Sequence, residues 1–320
     1  MTTALRDPAF RAYAPQFEEV VGEEPRLAPV VETDAHEGPV YFADENALYF
    51  TTPPKPGVDG APLVQIKRLD LDQPEQVSVL VEEANAANGM APDREGGLLV
   101  CEQGGRAEHA RISRLDRLTG ERETVIDHWR GLRFNSPNDV VCASDGSIWF
   151  TDPSYGHLQG FKPEPMAGDF VYRHDPATEE VEVLADSFDK PNGLAFSPDE
   201  RVLYVTDSGA NQRPGSYHVD RPHHVKAFDV IDGRRLAGER LLAVTTPGFP
   251  DGLKVDSEGR VYATSFSGVQ VHDPSGLLIG EIRLPGAVNF CFGGPERNLL
   301  FITTDTAIWV ADVAAKGADS

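Results

Sequence analysis

The stretch SPNDVVCASDGSIWFTDPSYG, residues 136–156, decides the fold of this chain. It begins with a polar motif at Asn138, continues through a short β-forming run and reaches a second β-forming run centred on Trp149. The turn signal SDGS at 144–147 separates the two runs. Two β-forming runs joined by a short glycine-containing turn predict a β-hairpin.

The same arrangement occurs six times along the chain, with a polar residue eleven or twelve positions before the centre of a strand. The polar residues are Glu37, Asn88, Asn138, Asn192, Asp251 and Asn289. The corresponding strand centres are Tyr49, Leu99, Trp149, Tyr204, Tyr262 and Phe301. Repetition at this spacing predicts a stack of equivalent sheets, and we interpret the chain as an all-β, six-bladed β-propeller.

The last repeat leaves room for only three strands, whereas residues 26–33 have strand character ahead of the first repeat. We therefore predict that this N-terminal strand completes the last blade and closes the ring, which removes open sheet edges. The whole chain, 1–320, is predicted to be one domain. It would carry an N-terminal extension at 1–25 with one amphipathic turn outside the ring, and a frayed tail at 314–320.

The propeller geometry brings the six polar residues together, because the first strand of each blade lines the central channel and a residue just before it lies at one mouth. Two carboxylates and four carboxamides would meet there, and such oxygen donors are preferred by a hard divalent cation. The alternative is that Asn, Asp and Gly recur only as turn residues. Six positions in register, one of them a glutamate, favour the metal site.

Composition excludes several classes of function. A net charge of −22 and a pI near 4.7 argue against nucleic acid or an anionic membrane as a partner. No signal peptide or membrane-spanning stretch is visible, so we expect a cytoplasmic protein. The three cysteines look like buried apolar residues, and the histidines at 218, 223 and 224 fit no zinc motif. Nucleophile-elbow and phosphate-loop motifs are also missing from the sequence.

Two long segments, 152–168 and 207–222, exceed the repeat unit and are predicted to be loops at the channel mouth. Asp152 and Asp207 open these loops. Each could cap its loop, or it could hold the residues of the site in place or bind a second metal, and both alternatives stay open. Asp152 is also a substrate-binding candidate. We also select Tyr155, in the first loop, as a substrate-binding candidate.

Five strings follow one another in order: HEGPVYF, SPNDVVCASDGSIWFTDPSYG, KPNGLAFSPDERVLYVTD, PDGLKVDSEGRVYAT and VNFCFGG. In order and spacing they resemble the gluconolactonase and regucalcin-like family of six-bladed propellers, which includes senescence marker protein and luciferin-regenerating-enzyme-like proteins. The resemblance runs from about Glu37 to Val313. It implies one divalent cation, often Ca²⁺, held by Glu37, Asn192 and Asp251, with Asn138 as a further ligand or a substrate contact.

The resemblance implies a lactonase of carbohydrate metabolism. The cation, with Mg²⁺, Mn²⁺, Zn²⁺ and Fe²⁺ as alternatives to Ca²⁺, would polarise the carbonyl of a sugar-acid lactone while Asp251 accepts a proton from the attacking water. Relatives often have His in a CEHG-like string where this chain has Gln103, which puts the substrate preference in doubt. Glu102 and Arg106 nearby are candidates to contact sugar hydroxyls.

Two alternatives keep the same site. One is a phosphotriesterase that resembles diisopropyl-fluorophosphatase, which would need apolar pocket walls. The other is a non-catalytic calcium-binding propeller, for which Asp251→Asn, an isosteric change that removes the charge, would alter metal affinity alone. The expected partner is a small-molecule lactone. The sequence does not identify the lactone, the cellular metal, protein partners or the oligomeric state.

Overall fold

This computed structural model describes residues 7–57 and 60–318. The chain forms six antiparallel sheets that are arranged as the blades of a β-propeller, as the repeat predicted. Five of these sheets have four strands and one has five. Each polar motif leads into the first strand of a blade.

The first three blades follow one another along the chain. Two strands precede them, β1 (Phe10–Ala12) and β2 (Arg26–Glu32). Blade 1 contains β3 (Val40–Phe42), β4 (Ala47–Thr51), β7 (Ile66–Asp70) and β8 (Val77–Val81), with a ribbon of β5 (Lys55–Pro56) and β6 (Pro62–Leu63) inserted after β4. Blade 2 contains β9 (Ala87–Pro92), β10 (Leu98–Glu102), β11 (Arg111–Leu115) and β12 (Arg122–Ile126). After the ribbon β13 (His128–Trp129) and β14 (Leu132–Arg133), blade 3 contains β15 (Val140–Cys142), β16 (Ile148–Asp152), β17 (Phe170–Asp175) and β18 (Glu180–Ala185).

The other three blades complete the ring. Blade 4 contains β19 (Pro191–Phe196), β20 (Val202–Asp207), β21 (His224–Ile231) and β22 (Arg235–Val244). Blade 5 contains β23 (Leu253–Val255), β24 (Val261–Ser265), β25 (Gly268–His272) and β26 (Leu278–Arg283). Blade 6 contains β27 (Asn289–Gly293), β28 (Leu299–Thr303) and β29 (Ala307–Asp312). Within the described residues there are two short helices, α1 (Phe17–Val21) and α2 (Tyr155–Leu158), and neither is long enough to cross a membrane.

The core lies between the blades. The buried apolar side chains form clusters, each shared by two neighbouring sheets. Between blades 3 and 4, for example, Trp149 packs against Phe196, and their ring centroids are 5.2 Å apart. Because each cluster is built by two blades, no blade can bury its own apolar face alone.

The ring closes as the sequence predicted. Strand β2 pairs antiparallel with β29, so that Arg26 faces Asp312 and Glu32 faces Ala307. This pairing gives blade 6 its fourth strand and joins the two ends of the chain. Closure fixes the six polar motifs around one channel.

The N-terminal extension lies at the outer edge of the ring, whereas the tail differs from its prediction within the described residues. Strand β1 adds a fifth, outermost strand to blade 5, pairing Phe10 with Ile282. The amphipathic turn forms α1, which buries Phe17 completely in the core. The tail is hydrogen-bonded rather than frayed, because Gly317 N–H donates to Arg297 O and Ala318 N–H donates to Val255 O. Residues 1–6 and 319–320 lie outside the described residues.

Candidate metal and substrate site

A set of buried threonines holds the polar motifs in place. Thr51, Thr151, Thr206, Thr264 and Thr303 lie at or next to the ends of the second strands of five blades, and Cys101 has the matching place in blade 2. The Thr151 hydroxyl donates to Asn192 O at 2.8 Å, in the next blade. The Thr206 hydroxyl donates to Asp251 O at 3.2 Å, also in the next blade. These bonds link the end of one blade to the polar motif of its neighbour.

The glycine after a polar residue allows the neighbouring blade to approach. A Cβ atom on Gly193 would lie 2.4 Å from Asp251 O, and one on Gly252 would lie 2.4 Å from Asn289 Oδ1. Neither glycine has a positive φ. These NG and DG pairs are therefore not turns, and the turn-residue alternative does not explain them. Glycine is required because backbone from the next blade fills the space that a side chain would occupy.

The structure brings Glu37 and Asn289 together, although they are separated by 252 positions in sequence. The Asn289 Nδ2 donates to Glu37 Oε2 at 2.6 Å, and both residues are buried. Burial raises the pKa of Glu37 to about 7, the Asn289 bond lowers it, and the charge of Asp139 raises it further. Glu37 is thus a carboxylate in an environment that does not favour its negative charge.

Asp251 belongs to the same cluster. Burial raises its pKa well above the usual value, and the neighbouring Glu37 carboxylate raises it further, whereas hydrogen bonding from Asn192 lowers it. The Asp251 N–H donates to the Thr264 hydroxyl at 3.0 Å, which fixes the main chain at this point. Blades 1, 4, 5 and 6 therefore contribute Glu37, Asn192, Asp251 and Asn289 to one end of the channel.

Asp139 is a third buried carboxylate that the sequence reasoning missed. Its Oδ1 accepts the Val140 N–H at 3.0 Å, and its pKa is raised by burial and lowered by the positive charge of Lys254. The ND string at 138–139 contained the signal, because an aspartate stands where four of the other five repeats have glycine. Asp139 lies close to the polar cluster, since its charge raises the pKa values of both Glu37 and Asp251.

Asn138 and Asn88 contribute the amides of blades 3 and 2. Asn138 is buried, its N–H donates to Thr151 O at 2.9 Å, and its carbonyl accepts the Gly89 N–H at 2.8 Å. The Asn88 Oδ1 atom is buried and has no hydrogen-bond partner in the described part of the chain. A buried, unpartnered amide oxygen is costly unless a ligand or water satisfies it.

Tyr155, on α2, covers the cluster from the first long loop. The side chain is buried, and its hydroxyl lies beside the Asn192 side chain. Burial raises the pKa of Tyr155 well above its usual value, the charge of Asp251 raises it further, and hydrogen bonding with Asn192 lowers it. The phenol therefore lies near Asp251 and stays protonated at neutral pH.

The other predicted site residues have different surroundings. Both carboxylate oxygens of Asp152 accept main-chain N–H groups, from Asn135 at 2.8 Å and Ser136 at 2.7 Å. Asp207 binds the N–H groups of Asp189 and Lys190 in the same way. These contacts favour the loop-capping alternative for Asp152 and Asp207.

Glu102 and Arg106 lie on the same side of blade 2 but differ in exposure. Glu102 is fully buried, accepts a bond from Ser113 at 2.6 Å and pairs with Arg111 at 2.8 Å and Arg122 at 3.1 Å. Its contacts are thus with protein groups. Arg106 is exposed, and Gln103 is partly exposed. The main-chain carbonyl oxygen of Gln103 accepts a hydrogen bond from Lys162 Nζ at 2.7 Å. Substrate contacts at Glu102, Arg106, Asp152 and Tyr155 stay predictions.

The residues at this mouth fit a divalent cation. Within residues 7–57 and 60–318 no three His, Cys, Asp or Glu side chains form a metal-binding group. This is expected if amides supply half of the ligands, as Asn138 and Asn192 would beside Glu37 and Asp251. A cation here would offset the repulsion between the buried carboxylates, and the unpartnered Asn88 oxygen adds a nearby acceptor.

Comparison with known proteins agrees with this geometry. A family model for the SMP-30/gluconolactonase/LRE-like region matches residues 35–306, a span that includes every polar motif. The chain belongs to this family. A gluconolactonase of Zymomonas mobilis is 30% identical to this chain over 285 residues. The alignment covers 86% of this chain and 77% of that enzyme.

Solved structures support the same family assignment. A gluconolactonase from Xanthomonas campestris superposes on this family member with a TM-score of 0.79 at 33% identity, covering 97% of this chain and 96% of that one. Luciferin-regenerating enzyme has a TM-score of 0.69 at 18% identity, covering 92% of this chain and 97% of that one. At that identity the likeness shows a shared fold.

Proposed function

We propose that this chain is a lactonase that opens sugar-acid lactones with the help of one divalent cation held by Glu37, Asn138, Asn192 and Asp251. The observation that carries the proposal is the cluster of buried and partly buried carboxylates and amides at one end of the channel. The Zymomonas and Xanthomonas relatives, both gluconolactonases, support the lactonase class. All the donors are oxygen atoms, which suit a hard divalent cation, and we expect Ca²⁺ with Mg²⁺ and Mn²⁺ as alternatives for the same donors.

When bound, the cation would supply Lewis-acid polarisation of the lactone carbonyl. The protein supplies the proton transfer. Asp251 is partly exposed at the mouth, so its carboxylate can receive a proton from water that approaches the lactone carbon. Burial and the neighbouring Glu37 carboxylate raise the pKa of Asp251, and a bound cation would lower it, which keeps the carboxylate ionised and able to accept a proton.

Tyr155 and Asn88 orient the substrate in this proposal. The Tyr155 hydroxyl can donate to a lactone oxygen, because it is protonated and lies beside the Asn192 amide and the Asp251 carboxylate. Asn88 Oδ1 is an acceptor and can bind a sugar hydroxyl. An ester is reactive enough for a carboxylate base and a polarised carbonyl, whereas an amide would need stronger activation.

The test is a pH-indicator assay on a panel of aldonolactones with parent protein and Asp251→Asn, each measured after chelation and after reconstitution with Ca²⁺. The parent should hydrolyse at least one lactone only when metal is present. Asp251→Asn keeps the shape and one ligand oxygen but loses the proton acceptor, so at saturating Ca²⁺ its rate should fall by about 10²–10⁴.

A matched control is Asp273→Asn, which removes one carboxylate charge at an exposed turn of blade 5 and should keep the parent rate. Parent turnover at full rate in excess chelator, with metal content near zero, would contradict the metal-dependent mechanism. Unchanged turnover by Asp251→Asn at saturating metal would make Asp251 a ligand only. Loss of Ca²⁺ affinity without any lactonase activity in the parent would favour a calcium-binding propeller.

A further inference from the structure

Three aromatic side chains form a continuous surface beside the site, which we call the aromatic wall: Tyr217, Phe249 and Phe266. The ring centroids of Tyr217 and Phe266 are 5.3 Å apart, as are those of Phe249 and Phe266. Tyr217 and Phe249 are 6.5 Å apart. The three rings come from three separate segments, so the wall is a product of the fold and not of a local sequence run.

The wall lies at the same mouth as Asp251. Phe249 precedes Asp251 by two residues, which keeps their Cα atoms within roughly 7 Å. Phe266 follows the end of β24, where Thr264 bonds to the Asp251 N–H, and the Phe266 N–H donates to Pro247 O at 3.0 Å. Tyr217 comes from the 207–222 loop, which begins at the mouth after β20.

The rings are held in defined positions. A Cβ atom on Gly248 would lie 2.5 Å from the Phe266 ring, so this ring packs directly on the backbone before Asp251. The Tyr217 loop is fixed by bonds on both sides of the ring: the His218 N–H donates to Ala210 O at 2.9 Å, and the Arg213 N–H donates to the Ser216 hydroxyl at 2.9 Å. The wall is therefore preformed.

The wall is also exposed. Tyr217 is 41% and Phe266 47% exposed, and in the described part of the chain the only other aromatic side chain exposed to a similar degree is Tyr13. Of the three exposed rings, Tyr217 and Phe266 therefore lie together beside the candidate site, and Tyr13 does not contribute to the wall. Across the mouth the surroundings are polar, with His36 Nδ1 bonded to Asp305 at 2.6 Å and the exposed guanidinium of Arg106.

We propose that the aromatic wall is a subsite for an apolar substituent on the lactone ring. The proposal rests on the lactonase function above and names the substrate class more closely: a lactone whose ring faces Asp251 and whose alkyl or aryl substituent covers Tyr217 and Phe266. Aromatic faces bind such groups by excluding water from both surfaces. The polar opposite side leaves room for ring hydroxyls on the same substrate.

The test compares δ-valerolactone with δ-decalactone, which has the same ring and a pentyl substituent, in the metal-loaded protein. For the parent, kcat/KM should be at least about tenfold higher for the alkyl lactone, because each methylene in an apolar pocket contributes up to about that factor and this wall is open on one side. The difference should appear mainly in KM, since the substituent is distant from the reacting bond.

The variants are Tyr217→Ser and Phe266→Ser, with Leu118→Ser as the matched control. Leu118 is 88% exposed in the turn between β11 and β12 of blade 2. Replacing it with serine therefore removes exposed apolar surface from a blade that does not contribute to the aromatic wall. The alkyl preference should fall to about threefold or less in each wall variant and stay at the parent value in Leu118→Ser. Tyr217→Ser changes an exposed loop residue and keeps the test valid if Phe266→Ser does not fold.

Binding without turnover separates this proposal from the lactonase proposal. The lactams piperidin-2-one and 6-pentylpiperidin-2-one have the same rings with an amide in place of the ester, and calorimetry gives their affinities. The pentyl lactam should bind about tenfold more tightly, and Phe266→Ser should remove the difference. Equal affinities and equal kcat/KM in the parent overturn the subsite. Hydrolysis of diisopropyl fluorophosphate with no lactone turnover would overturn the lactonase function, while the lactam comparison would still decide the subsite.

Discussion

His272 is a buried histidine at the far end of β25, on the side of blade 5 away from the mouth. It is 2% exposed, and its Nδ1 atom has no hydrogen-bond partner among the described residues. Burial lowers its pKa to about 4, although a main-chain bond at Val261 and the charge of Asp273 act in the opposite direction. The folded protein therefore holds this imidazole in its neutral form.

This shift predicts acid sensitivity. Because the folded pKa lies below the unfolded value of 6.5, the stabilising contribution of neutral His272 is complete above pH 6.5 and is lost as pH falls towards 4. Between pH 7 and pH 5 the contribution should fall by about 2 kcal/mol. In urea unfolding at these two pH values, His272→Leu should lose correspondingly less stability than the parent. Identical pH dependence in both proteins would contradict the assignment.

At the residue scale the sequence indicated which oxygens meet at the mouth, but not which carboxylates are already bonded. Glu37, Asn192 and Asp251 stand out because they repeat in register. Glu102 and Asp152 are also carboxylates at the ends of second strands, yet the oxygens of Glu102 bind Arg111 on the next strand. Those of Asp152 bind main-chain N–H groups of the segment before β15. Charge and spacing do not show whether a carboxylate faces an arginine or a channel.

The first strand of each blade determines how closely neighbouring blades approach, and Gly193 in β19 shows this most directly. A methyl group there would lie 2.4 Å from Asp251 O, so Gly193→Ala must push β19 and the Asp251 segment apart. We expect the unfolding free energy to fall by about 1–3 kcal/mol. Lactonase activity should fall at least about tenfold even at temperatures where the variant is folded, since Asp251 moves.

The control is Gly131→Ala in the exposed turn of the β13–β14 ribbon. Gly131 has φ 80°, and no atom lies within 4 Å of the position that a Cβ would take, so the change adds backbone strain without a clash. Its stability should fall by about 1–2 kcal/mol while its lactonase rate stays at the parent value. Calorimetry and the pH-indicator assay measure both quantities. Parent-like activity in Gly193→Ala would show that the close approach does not position Asp251.

At the element scale the hairpins were predictable because their turn signals are local. The turn SDGS lies between β15 and β16, with Gly146 at φ 84°, and hydrophobic strands flank it. Strand β1 and helix α1 carried no comparable signal. Phe10 pairs with Ile282, and Phe17 fills space against Gly280, so the pattern that makes them structured is located at the other end of the chain.

For the whole molecule, the closed ring should not depend on metal for its fold. The clusters between blades bury apolar side chains all around the ring, and they include no proposed ligand. After chelation the far-ultraviolet circular dichroism should keep its β-sheet signal. Ca²⁺ at 100 times its dissociation constant should restore about 2.7 kcal/mol of stability by mass action, seen as a higher Tm. Loss of the β-sheet signal on chelation would contradict this expectation.

The architecture as a whole followed from counting. Six polar motifs predicted six blades. The last repeat had room for only three strands, which predicted that the N-terminal strand β2 closes the ring. Sequence could not give the width of the mouth or its walls, because Tyr217, Phe249 and Phe266 lie outside the repeat and meet only through the paths of their loops.

The pairing of β2 with β29 also constrains how the protein can be made. Strand β2 is translated before blades 1 to 5, whereas its partner at Ala307–Asp312 is translated after them. Until blade 6 is made, the ring stays open and no Asn289 amide is in place to bind Glu37. A nascent chain that has not reached Ala307 therefore carries β2 without its partner strand, and a ribosome that stops before Asn289 releases a product with an incomplete mouth. The site cannot form until blade 6 has been synthesised.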